Sequence, residues 1–110
     1  MFKLIRDKVP ELIQQSGKVC NYAVAENREL FIALLRNKLV EEVQEFLATG
    51  AVDELIDITL VVNTLLDTNE ITKEQFEELY NNKIEANGGF DKKYIGFFPD
   101  KTPDSQEPIE

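Results

Sequence analysis

Leu39-Val40-Glu41-Glu42-Val43-Gln44-Glu45-Phe46 and, a short connection later, Asp53-Glu54-Leu55-Ile56-Asp57 decide how this chain folds. Each stretch carries two acids three residues apart, Glu42 with Glu45 and Glu54 with Asp57. On a helix that spacing puts both members on one face. Advancing about 100° per residue from Glu42 places Leu35 at roughly 20°, Phe46 at roughly 40°, Leu39 at roughly 60° and Phe31 at roughly −20°. Glu42 therefore falls in the middle of an apolar stripe, with Glu45 and Lys38 at its margin. From Glu54, Leu65 falls at roughly 20°, Ile58 at roughly 40° and Val61 at roughly −20°. Glu54 is embedded in the same way, and Asp57 is marginal as Glu45 is. Two such helices joined by a few residues are expected to lie antiparallel, face each other and converge four carboxylates.

A buried, unpaired carboxylate costs several kcal/mol and normally neutralises itself by shifting its pKa. Between Leu39 and Thr72 the chain has eight acids and neither Lys nor Arg, so no side chain of that stretch can neutralise the cluster. A divalent cation is the simplest counter-charge. An all-oxygen ligand set suits a hard one such as Mg²⁺, Mn²⁺ or Ca²⁺.

The rest of the composition narrows the chemistry. A chain of 110 residues with 43% hydrophobic and 30% charged residues is expected to form one soluble domain with a modest core. No apolar run approaches the roughly 20 residues of a membrane span, and Met1-Phe2-Lys3-Leu4-Ile5-Arg6-Asp7 is too short and too charged for a secretory signal. The lone Cys20 cannot form an internal disulfide, and a cytoplasmic location is expected. A net charge of −9 argues against a nucleic acid polymer as partner. It does not argue against a small polyphosphate, because metal ions bridge acid to phosphate. The absence of His removes the usual zinc sites and every Ser-His or Cys-His catalytic unit.

Residues 1–9 lack a helical period. Pro10 suits the first turn of a short helix to about Ser16, stopped at Gly17. Residues 18–25 read as a loop or short extended segment. A long amphipathic helix runs from about Glu26 to Ala48, with Gly50 suited to a left-handed cap. The next helix covers about Val52 to Asp67. Being apolar nearly all round from Ile56 to Leu66, it is expected to be the most buried element. Thr72 with Gln75 forms a capping box for a helix from about Lys73 to Asn87, which Gly88-Gly89 stops. The expected fold class is all-α, a helical bundle over residues 1–98, followed by a mobile tail over residues 99–110.

The Lys38–Phe46 and Asp53–Asp57 stretches resemble the ExxE…ExxD signature of the MazG-like all-α nucleoside triphosphate pyrophosphohydrolases. Arg6-Asp7-Lys8-Val9-Pro10 and the pairing of Lys83 with Asn87-Gly88-Gly89-Phe90 resemble the phosphoribosyl-ATP pyrophosphohydrolase-like subgroup. The three blocks occur in the family's order and cover most of residues 3–95. The resemblance implies a four-helix fold that assembles as a homodimer or homotetramer. It also implies Mg²⁺-dependent hydrolysis between the α and β phosphates, with Glu42, Glu45, Glu54 and Asp57 as metal ligands. Attack of water on the α-phosphorus is the expected chemistry, with Glu41, Glu42 and Glu45 as the catalytic carboxylates. Arg6, Lys8, Lys38 and Lys83 are candidate phosphate contacts. Gly89 offers a close backbone approach, and Phe90 offers a ring to stack on a base. Two other readings stand beside this one: phosphoribosyl-ATP as the substrate, and a non-enzymatic helical module whose acids bind a basic partner.

Overall fold

The computed structural model of the chain describes residues 2–99. Four helices, α1 (Val9–Gln15), α2 (Arg28–Thr49), α3 (Val52–Thr68) and α4 (Lys73–Asn87), supply the regular structure, and there is no strand among the described residues. The all-α class expected from the pattern is the class observed. Most of the expected tail, residues 100–110, lies outside the described residues. The chain divides into two compact units, residues 1–71 with α1 to α3, and residues 72–110 with α4.

Local chemistry sets the helix ends. Asn27 caps α2, its Oδ1 accepting the Leu30 N–H at 2.8 Å. Gly50 closes α2 in the left-handed region, φ 66°, where a side chain would be strained. Only Gly50 and Ala51 then separate α2 from α3. In the second unit, α4 begins with the predicted capping box: the Thr72 hydroxyl accepts the Gln75 N–H, and the Gln75 side chain accepts the Thr72 N–H.

The first unit is built on the α2–α3 hairpin, whose helices pack against each other. Arg28, at the start of α2, donates from Nε to the Thr68 carbonyl at the end of α3 at 3.2 Å, a contact consistent with the antiparallel arrangement that the two-residue connection imposes. The N-terminal segment runs beside both helices. Lys3 reaches Glu41 of α2 at 2.9 Å and Arg6 reaches Asp57 of α3 at 3.2 Å.

The apolar core of the hairpin is small. Leu35 of α2 and Val61 of α3 are the buried apolar residues among those described. Burial of each contributes about 1.5–3 kcal/mol. The apolar run of α3 is not buried all round: Val52, Leu55, Ile56 and Leu60 stand exposed. A 17-residue helix packed against one partner can bury only one stripe, so an apolar residue on the far side stays in solvent however hydrophobic the run.

Candidate metal centre on the helical hairpin

Glu42 is the buried acid of the hairpin, 6% exposed and in the same class as Leu35 and Val61. Its place on the wheel forces this. The rows that bring Leu35 to the α2–α3 seam bring Glu42 there about two turns later. Across the seam, Glu54 lies in the first turn of α3 and Asp57 one turn further on. One carboxylate oxygen from each of Glu42, Glu54 and Asp57 falls within 4.8 Å of the others. Three carboxylates from two helices thus meet at the closed end of the hairpin.

Glu45 is outside this group. Its residue is exposed, whereas Glu54 and Asp57 are partly buried. The sequence placed all four together, and the packing of α2 turns one of them outward. Glu45 is still felt electrically, since its charge helps to raise the Glu42 pKa.

Cations from outside the acidic stretch neutralise the cluster in part. Lys38 stands one turn before Glu42 and places Nζ 3.4 Å from a Glu42 oxygen and 3.5 Å from Glu41. Lys38 therefore pairs with Glu42 and Glu41. Lys3 holds Glu41, and Arg6 holds Asp57. The Lys3 contact spans 38 residues and had no local signal in the sequence.

Not every charge is met. Glu42 Oε2 is buried and has no hydrogen-bond partner. Desolvation, then repulsion from Glu45, pushes the Glu42 carboxyl above the usual carboxylate range against the pull of Lys38. Glu41 shows the opposite effect: the Lys3 ammonium holds its carboxyl below the usual range, with Lys38 acting in the same direction. Lys3 is pushed up in return, chiefly by its hydrogen bond to Glu41.

The donor set fits a hard divalent cation. All three ligands are carboxylates, and one has a buried oxygen without a proton donor. Such a cation takes six or more oxygens, so three carboxylates leave positions for phosphate and water. Glu42, Glu54 and Asp57 are the residues that would hold it.

The other candidate residues divide by location. Arg6 borders the carboxylate group through Asp57. Lys8 is exposed at the N-cap of α1 and forms no ion pair among the described residues. Lys83 lies on α4, Gly89 follows it and Phe90 is 89% exposed; all three belong to the second unit. A Cβ at Gly89 would meet open space, so packing within the chain does not demand glycine there. No described helix is long and apolar enough to cross a membrane. Comparison of the chain with models of protein families, with curated proteins and with solved structures gives no match.

Proposed function

We propose that this chain is a Mg²⁺-dependent nucleotide pyrophosphohydrolase, with Mn²⁺ as an alternative metal, that cleaves between the α and β phosphates. The reading rests on one observation: three carboxylates from two helices converge around a buried Glu42 oxygen that has no hydrogen-bond partner among the described residues. Lys38 pairs with one oxygen of Glu42 and leaves Oε2 without a partner, and leaving a buried polar atom so costs about 1–3 kcal/mol.

A bound divalent cation supplies positive charge against the polyphosphate and acidifies water. The chain's own residues divide the remaining work. Glu42, Glu54 and Asp57 hold the metal. Lys38 limits repulsion within the cluster and stands ready to meet a phosphate. Arg6, on an exposed ion pair of little strength, can exchange Asp57 for a phosphate oxygen. Glu41 is tied up by Lys3 and is a weakened base, so Glu45, which stands outside the three-carboxylate group, is the remaining carboxylate of the signature to take the proton from water. Water adds to the α-phosphorus, the α–β anhydride bond breaks, and the products are a nucleoside monophosphate and pyrophosphate.

The apolar residues left exposed on α2 and α3, including Val40, Leu47, Val52 and Ile56, support assembly of two or more copies. Pyrophosphate release from a nucleotide panel, with and without Mg²⁺, tests the activity. Release that needs Mg²⁺ and vanishes in Glu54→Gln is the expected result. A chain that releases none from any nucleotide, including phosphoribosyl-ATP, and whose melting temperature ignores Mg²⁺, is not this enzyme. Sedimentation of the full chain tests the assembly.

A further inference from the structure

The first unit also contains a groove that shares only Arg6 with the carboxylate group. It has a volume of 560 Å³ and lies between residues 4–7, residues 22–25 and the first turn of α2. Clefts that hold small ligands typically span roughly 300–1,000 Å³. Its walls are mainly apolar, with Ile5, Val24 and two rings, Tyr22 and Phe31. Its polar members include two guanidinium groups, Arg6 and Arg28.

Arg6 gives the groove its direction. It lines the groove and at the same time donates to Asp57, a member of the three-carboxylate group, at 3.2 Å. A molecule with one anionic end and one flat apolar end matches that layout: charge at the carboxylates with a cation between, ring surface against Tyr22 and Phe31. Arg28 donates by Nε to the Thr68 carbonyl, which leaves its terminal nitrogens available to donate.

We propose that this groove holds the nucleoside part of the nucleotide, with Tyr22 and Phe31 facing the base and Arg6 bridging groove and metal centre. The proposal deepens the functional reading above, and assigns base contact to Tyr22 and Phe31 independently of Phe90. Tyr22 is 63% exposed and Val24 88% exposed, so an incoming ring would cover apolar surface that now faces water.

Nuclear magnetic resonance on the isotope-labelled full chain, titrated with AMP, GMP, CMP and UMP without Mg²⁺, tests this apart from catalysis. At least one monophosphate is expected to shift the amides of residues 4–7, 22–25 and 28–31. Tyr22→Ala should weaken that binding at least about fivefold, the lower end for loss of one stacking ring, and Tyr22→Phe should retain it. Tyr22 is exposed, so its truncation leaves the core intact. Three results would overturn the proposal: no shifts in the groove with any monophosphate, the same shifts produced by inorganic phosphate, or equal affinity in Tyr22→Ala. Binding in the groove without turnover on any nucleotide would retain the nucleoside site and remove the hydrolase reading.

Discussion

The two carboxylate pairs have the same spacing and different fates. On α3, Glu54 and Asp57 both turn toward the seam and join the cluster. On α2, Glu42 joins and Glu45 does not. Residues three apart on a helix differ by roughly 60° in direction, so a pair straddling the seam contributes both members only if the seam bisects it. Leu35 sets the rotation of α2 by packing at the seam, and Glu42 shares its direction closely. Spacing therefore nominates a pair, and the rotation of the helix in its packed state selects from it.

That asymmetry can be broken most severely at Glu42. Glu42→Gln is expected to remove the Mg²⁺-dependent rise in melting temperature and to lower pyrophosphate release by more than about 100-fold, beyond the upper range for losing a supporting partner. In wild type that rise should correspond to about 2.7 kcal/mol at a hundred times the dissociation constant. Without metal the same variant should be more stable than wild type by on the order of 1 kcal/mol at neutral pH, because a buried charge is gone. The sign follows from linkage. A carboxyl raised in the fold binds more protons folded than unfolded, so its penalty grows as pH climbs from the ordinary value of 4.5 through the raised value, and stays above it. Thermal melts across pH with and without Mg²⁺ check both statements.

Asp57→Asn comes next. It removes one ligand and frees Arg6, so Mg²⁺ affinity by calorimetry should fall about 10- to 100-fold while the hairpin stays folded. Glu45→Gln should change Mg²⁺ affinity less than about tenfold, since a margin charge acts through solvent. Its signature is in pH: without the Glu45 charge the Glu42 carboxyl moves down, and half-maximal Mg²⁺ binding shifts to lower pH. Equal losses in Glu45→Gln and Glu54→Gln would erase the difference between the two pairs. The smallest effect belongs to Lys3→Ala. It should return the Glu41 carboxyl toward 4.5 in an NMR titration. It should also remove the stability that Glu41 contributes above that pH, which is lost as pH falls through its lowered value.

Much of this was legible in the sequence because it depends on neighbours along the chain. Gly50 and Thr72 end and begin helices through bonds to residues at most four positions away, and the start of α2 falls two residues after the expected Glu26, where the Asn27 side chain caps it. The burial of Glu42 follows from the apolar stripe around it. The Lys38–Glu42 pair is an i,i+4 contact of the same helix. What escaped the sequence is long-range. Lys3 with Glu41 and Arg6 with Asp57 join residues 38 and 51 positions apart. The groove gathers Ile5, Tyr22 and Phe31 from three segments, and neither ring had a periodic signal marking it as anything but loop or core. The exposed apolar residues of α3 have a related cause: hydrophobicity states which residues would gain from burial and says nothing of how many partners are at hand.

The amino-acid order alone determined an all-helical chain, the helix ends and an acid driven toward an apolar seam, because hydrogen bonding and periodicity act over one or two turns. Only the tertiary structure decided that three of the four acids meet, which cations reach them and where a ring-lined groove opens. Those outcomes depend on the rotation of α2 against α3 and on where the N-terminal segment comes to rest, and both are fixed by packing between residues far apart in the chain.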